Sequence, residues 1–322
     1  MPRRDDAVAA QAPERAERAG GTYVNAPARV LRAGGRRLTL TGAPLLMGIV
    51  NATLDSFSDA GELPDVPARV ARAHELAAAG ARIVDVGAES AFGGRPAVPA
   101  DEEADRVVPV IERIVAELDV LVSVDTYKPA VAEAAIAAGA QLVNDVSGLR
   151  DPALAELCAA TGAGLVLMHT RVAPKGTLLE PGFYDDVAAD VHDFLAERIA
   201  IAEAAGMQRE QLLLDPGPDF AKTPAQTVAV LRRLGSLHEL GRPLLLAISR
   251  KDFLGAITGR APRERGAATL AAVGFAADAG AHALRVHDVR AAADFLAVRA
   301  VLRGDRVLTP ADGLAADRYP DG

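Results

Sequence analysis

At 322 residues, half of them hydrophobic but only 4% aromatic and none tryptophan, the chain can bury a large core built from Ala, Val, Leu and Ile. A net charge of −8 excludes nucleic acid and anionic membrane as partners drawn in by the overall field, so an anionic ligand needs a local basic cluster. The single cysteine, Cys158, excludes an internal disulfide, suits a reducing, cytoplasmic setting and reads as a core thiol, and no apolar run has the length of a membrane span.

Residues 1–27 mix both signs of charge without an apolar segment and read as a flexible tail. Between Arg29 and Thr41, two short alternating runs flank Gly34-Gly35, the pattern of a hairpin that would plug the base of a barrel. From Leu45 one unit repeats: an apolar strand, a polar loop at its carboxyl end, an Ala-rich helix and a glycine stop. Strands are predicted over 45–50, 82–86, 120–124, 141–144, 165–168, 211–214, 243–248 and 283–286, with helices such as 67–79 and 101–118 between them. Eight such units predict an α/β fold, a (β/α)8 TIM barrel over residues 28–304 with an N-terminal β-hairpin and flexible termini, the second of them 305–322.

A barrel places its chemistry at the carboxyl ends of its strands. Standing there are Asn51, Asp85, Glu89, Asp125, Asn144, Asp145, His169, Asp215, then Ser249, Arg250 and Lys251, and last Arg285, His287 and Asp288. One or two of these serve as helix caps, but so many polar groups on one rim call for a polar ligand. Asp125, Asn144, Asp215 and Lys251 combine carboxylate acceptors, an amide and an ammonium, a set that complements an aminopyrimidinone edge. A plain Asp215–Lys251 ion pair is the rival account of two of them. Arg285 and His287 alternate along the last strand and so face one side; with Lys251 they form the basic cluster an anion needs, and Arg285 can stack on a flat ring.

His74, His192 and His238 lie in helical text and read as surface or packing residues, while His169 stays open. No two histidines have metal-ligand spacing, which argues against a protein-built zinc site; a Mg2+ held mostly by diphosphate oxygens, with Asn51 as its protein contact, fits better. Ala221-Lys222-Thr223 has the ending of a phosphate loop without its spaced glycines.

The segments MGIVNATLDSFSD, EEADRVVPVI, VSVDT, LVNDVSG, LMH, LDPG with FAKT, SRKDFLG and RVHDV stand in this order, and through them the chain resembles the dihydropteroate synthase family from about Arg29 to Leu302. The resemblance implies that 6-hydroxymethyl-7,8-dihydropterin diphosphate loses pyrophosphate as p-aminobenzoate attacks its methylene. It implies a pterin pocket of Asp125, Asn144, Asp215 and Lys251 with Arg285 stacked on the ring and Met168 and Phe220 as apolar walls. Asn51, Arg285 and His287 would receive the diphosphate with Mg2+, and Asp125, Lys251, Arg285 and His287 would carry the catalysis. The small-molecule substrates are then the partners, with a homodimer through the last helices.

The departures fall in the loops. Where the family's second loop reads Glu-Ser-Thr-Arg-Pro-Gly, this chain has ESAFGG, placing Ala91 and Phe92 at the Thr and Arg positions, with Arg95-Pro96 a few residues later. Leu54 replaces a proline in the first loop, and Pro218-Asp219 replaces a flexible glycine-containing pair in the sixth. These loops would cover p-aminobenzoate and the diphosphate, so the resemblance implies an intact pterin pocket beside an altered second-substrate site at Ala91, Phe92 and Arg95. Phe92 would change sulfonamide discrimination in an active synthase. The alternatives are a pterin-binding paralogue without the transfer, and a methyltetrahydrofolate:corrinoid methyltransferase, which has no use for the diphosphate-binding segments SRK and RVHDV.

Overall fold

The computed structural model describes residues 29–52, 66–89 and 96–309. The tail over 1–27, Leu54, the second-loop residues Ala91, Phe92 and Arg95, and the tail from residue 310 onward lie outside the described residues.

The predicted hairpin is present. Strands β1 (Arg29–Ala33) and β2 (Arg36–Leu40) pair antiparallel from Arg29↔Leu40 to Ala33↔Arg36. The two-residue turn puts Gly34 and Gly35 at φ +55° and +80°, the left-handed region that the tight turn requires.

Eight further strands follow: β3 (Leu45–Asn51), β4 (Ile83–Gly87), β5 (Leu121–Asp125), β6 (Leu142–Asp145), β7 (Gly164–Met168), β8 (Leu212–Asp215), β9 (Leu245–Leu246) and β10 (Ala283–Val286). All pair in parallel, in the order β8-β7-β6-β5-β4-β3-β10-β9, and a parallel bridge Leu214↔Leu244 links the two ends of the sheet. Outside them run α1 (Val66–Ala78), α2 (Ala100–Glu117), α3 (Pro129–Ala137), α4 (Ala153–Thr161), α5 (Val187–Ala204), α6 (Pro224–Arg232), the one-turn α7 (Leu234–Leu237), α8 (Asp252–Thr258), α9 (Gly266–Asp278) and α10 (Val289–Arg303). This is the (β/α)8 barrel that the repeat predicts.

The seventh predicted strand, 243–248, shrinks to Leu245–Leu246. Pro243 has no N–H to give, and β9 meets β10 only through Leu245 and Leu246, opposite Ala283 and Leu284, while β10 pairs with β3 along its whole length. The chain past Leu246 is therefore free of the ladder and carries Ser249, Arg250 and Lys251 on irregular backbone.

Alternation along the strands divides the barrel interior into layers. Met47, Ile83, Leu121, Leu142, Val166, Leu213, Leu245 and Ala283, one from each barrel strand, form an apolar floor, and Leu31, Ala33 and Leu40 of the hairpin close it from below. The plug fits closely: a Cβ on Gly164 would lie 2.9 Å from Leu142 and 3.2 Å from Ala33. Two residues further along the same strands stand Asp85, Ser123, Asn144, Met168, Asp215 and Arg285. Two further again come Asn51, Gly87, Asp125 and, past the strand ends, Thr170, Gly217, Ser249 and His287. A larger apolar layer between sheet and helices holds Cys158, whose thiol burial pushes up to about 12, the inert core thiol expected of it.

Leu31 is 1% exposed at the centre of the plug. Leu31→Ala should cost about 2–5 kcal/mol of stability, read as a fall in thermal midpoint. Ligand binding at the opposite mouth should stay near that of the parent protein.

Candidate active site

Arg285 crosses the mouth of the barrel. Its Nε donates to Asp85 Oδ2 at 2.7 Å and its Nη2 to Asp125 Oδ2 at 2.8 Å, and Asn144 Nδ2 donates to the same Asp85 oxygen at 3.1 Å. Asp85 is fully buried, and its Oδ1 has no hydrogen-bond partner among the described residues; the same holds for the hydroxyl of Ser123, its register partner on β5. Burial pushes Asp125 up to about 7 while the Arg285 charge pulls it down.

Asp215, at the end of β8, accepts from the amide of Gly217 at 2.7 Å. Burial raises its carboxyl to about 6, against the pull of Lys251, Lys222 and Arg285. Lys251 is held down by burial, with Asp219 and Asp215 opposing, and its ammonium lies 4.3 Å from the ring centre of Phe220. Asp125, Asn144, Asp215, Lys251 and Arg285 thus share one electrostatic cluster, with Met168 buried beside Asp215 in the β7–β8 register.

His287 shares a 3.0 Å hydrogen bond with Ser249 through Nδ1, and its own amide donates to the same hydroxyl at 3.3 Å. Burial, together with the charges of Arg250, Arg285 and Lys251, lowers this imidazole to about 4. Lowered in this way, the imidazole acts in the basic cluster as a hydrogen-bonding group, with the positive charge on the arginines and Lys251. Asn51 ends β3 exposed at the rim, opposite Gly87.

Two rim carboxylates are structural. Asp145 accepts from the amides of Ser147 and Leu149 at 2.7 and 2.6 Å, and Asp288 caps α10 through the amide of Ala291. Glu89 anchors the second loop: its carboxylate takes the amide of Val98, the hydroxyl of Tyr127 and the ammonium groups of Lys128 and Lys175. Burial pushes Glu89 up, but the Lys128 and Val98 hydrogen bonds leave it below the usual carboxylate range.

The sequence did not reveal Lys222. Its side chain is buried under the turn after β8 and donates to Gly217 O at 2.9 Å, Phe220 O at 3.0 Å and His169 Nδ1 at 2.7 Å. His169 Nε2 in turn meets Asp190 Oδ1 at 2.8 Å, and Asp190 also takes Arg171. The turn above is tight: Gly217 has φ +63°, and a Cβ there would lie 2.1 Å from His169 O. A lysine one residue before the Thr223–Gln226 capping box of α6 carries no local sign of burial. Beside this turn a cleft opens between Val146, Thr170, Pro174, Leu178, Phe220 and Ala221.

Comparison with known proteins places this geometry. The profile of the family described as "Pterin binding enzyme" matches residues 47–287. The dihydropteroate synthase of Escherichia coli is 42% identical over 247 residues, which cover 77% of this chain and 87% of that protein. The "Probable bifunctional folylpolyglutamate synthase/dihydropteroate synthase" of Haloferax volcanii is 46% identical over 244 residues, but this chain spans only 29% of its length. Among solved structures, Xanthomonas albilineans dihydropteroate synthase with 4-aminobenzoic acid superposes with a TM-score of 0.78 at 47% identity, covering 86% of this chain and 99% of that one.

Burial and the Lys222 charge lower His169 to about 4. Its folded pKa lies below the unfolded value, so the unfolded chain takes up the proton first. The stability it contributes is present above about pH 6.5 and is lost as pH falls toward 4, on the order of 3 kcal/mol in all. His169→Gln removes this titration, so the gap in urea midpoint between parent and variant should narrow from pH 7 to pH 4.5. A constant gap would refute the assignment.

Proposed function

This chain belongs to the dihydropteroate synthase family of pterin-binding enzymes, and we propose how its own residues carry the reaction. 6-Hydroxymethyl-7,8-dihydropterin diphosphate loses pyrophosphate while p-aminobenzoate forms a carbon–nitrogen bond to the methylene, giving 7,8-dihydropteroate. The observation that carries the assignment of residues is the cluster in the barrel mouth, where acids, an amide and an ammonium gather around Arg285.

Asp215 and Asn144 present an acceptor and an amide to the amino and ring N–H groups of the pterin, and Lys251 donates to its carbonyl. Phe220 and Met168 supply apolar walls. The hard step breaks a carbon–oxygen bond and leaves positive charge on the methylene. Asp125 opposes that charge once ionised, and Arg285, spanning Asp85 and Asp125, presents its remaining donors toward the leaving group. Ser249 and His287 offer neutral hydrogen bonds to the diphosphate.

Among the described residues no group of three or more His, Cys, Asp or Glu side chains could hold a metal. Asn51, exposed where β3 ends at the rim, offers an amide oxygen suited to Mg2+ that is bound mostly through diphosphate oxygens. Mg2+ supplies charge neutralisation on the departing pyrophosphate.

The same reading includes a homodimer through α9 and α10, which leave Phe275, Val298 and Leu302 exposed. A cytoplasmic setting agrees with a free buried thiol and with the finding that no helix among the described residues is long and apolar enough to cross a membrane. The altered second loop is read as changing p-aminobenzoate and sulfonamide discrimination while leaving the pterin pocket in place.

Purified protein supplied with Mg2+, the pterin diphosphate and p-aminobenzoate should release dihydropteroate and pyrophosphate in equal amounts. Asp215→Asn should weaken pterin binding by about tenfold or more, since a buried acceptor becomes a mismatched amide. Lys251→Ala should abolish turnover. Chelation should stop the reaction, and added Mg2+ should restore it. Pterin binding with neither product would defeat the reading.

A further inference from the structure

Asp219 stands in the sixth loop, where the resemblance leads one to expect a glycine-containing pair. It holds a left-handed backbone, φ +63°, which most side chains avoid and Asp tolerates better than most. Its carboxylate makes contacts that a glycine cannot. Oδ2 accepts from the amides of Asp252 at 2.5 Å and Phe253 at 3.3 Å, the two residues directly after Lys251. Oδ1 accepts from the hydroxyl of Thr227 on α6 at 3.1 Å, and that oxygen accepts from the Asp219 amide at 3.0 Å.

The Lys251 segment is gripped from its other side as well. Arg265 Nη1 donates to the carbonyls of Arg250 and Lys251 at 2.8 and 3.0 Å and to Asp252 Oδ1 at 2.9 Å. Arg250 itself is at φ +59°, with its amide on Thr269 Oγ1 at 3.1 Å. The backbone around Lys251 is thus irregular, outside the sheet, and fixed by side chains from other elements. Phe220, whose ring lies under the Lys251 ammonium, is the next residue after Asp219, so one carboxylate links both halves of that stacked pair.

We propose that Asp219 is a positioning residue: its carboxylate ties the start of α8 to the β8 turn and to α6, and so keeps Lys251 registered over Phe220. The tether stands on geometry alone; its consequence for substrate rests on the functional reading above.

The test compares the full-length parent, Asp219→Gly and Asp219→Asn. Glycine takes φ +63° freely and preserves the fold, with a melting temperature near that of the parent. Amide hydrogen exchange over residues 251–254 should be about tenfold faster in Asp219→Gly and largely restored in Asp219→Asn, whose side-chain oxygen still accepts. In the synthase assay, KM for the pterin diphosphate should rise about fivefold in the glycine variant with kcat nearly unchanged, and the asparagine variant should recover most of it. Unchanged exchange overturns the tether, and faster exchange with an unmoved KM overturns the positioning role. A parent protein that makes no dihydropteroate counts against the functional reading, while the exchange comparison still decides the tether.

Discussion

The mouth of the barrel depends on a single guanidinium, partly exposed, set between two carboxylates. Arg285 pairs with Oδ2 of Asp85, which has no exposure, and reaches Asp125 at the same time, while Asn144 donates to the same inner oxygen. Removing the arginine leaves a buried carboxylate uncompensated, a cost of about 3–5 kcal/mol in comparable cases. Intact, such a triad adds little stability over a well-packed apolar layer. The floor one step below is such a layer, contributed by every barrel strand. The change from apolar floor to Asp85, Ser123, Asn144, Asp215 and Arg285 within two residues along their strands marks where packing ends and recognition begins.

The turn after β8 shows how irregular backbone is sustained at such a place. Gly217, Asp219 and Ala221 all have positive φ, and the two non-glycine residues cost about 1–3 kcal/mol each. Lys222 offsets this from beneath by donating to Gly217 O and Phe220 O, hydrogen bonds of a charged group worth about 1.5–3 kcal/mol. Burial lowers that lysine to about 7. Its third partner, His169, accepts through Nδ1 because Nε2 faces Asp190, so the tautomer is set by the outer carboxylate. Asp215 takes its rotamer from the same turn, through the Gly217 amide.

The fold was legible because its signal is periodic. Each apolar strand, rim polar group and glycine stop recurs, and seven of the eight barrel strands fall within a residue or so of their predicted places. The seventh fell short because pairing depends on neighbours, and only Ala283 and Leu284 of β10 stand opposite it. Asp125, Asn144, Asp215, Lys251, Arg285 and His287 were legible as strand-end residues on one rim. Lys222, Lys128 and Arg265 were not. Lys128 reaches the distant carboxylates of Glu89 and Glu103, Arg265 reaches the carbonyls of Arg250 and Lys251, and Lys222 reaches carbonyls close in sequence only because the turn folds over it; nothing in adjacent sequence announces those geometries. The protonation of His287 was not legible for a related reason: it is set by burial and by arginines brought there by the fold.

The lowered imidazole bears on how an acidic protein holds an anion. With a net charge of −8 the long-range field repels a diphosphate, so the attraction must be local and screened from the rest. At the rim, Arg285 is already engaged with two acids and His287 is neutral, which leaves the mouth close to electrical balance. Balance is an advantage in the absence of ligand, because an uncompensated cluster of cations would cost more to bury than it returned. A diphosphate received among Arg285, Lys251 and His287, as proposed, would strengthen the arginine's hold and take a neutral hydrogen bond from the imidazole. The same logic applies to Asp125, raised to about 7: a cationic methylene beside it favours the carboxylate when that charge develops.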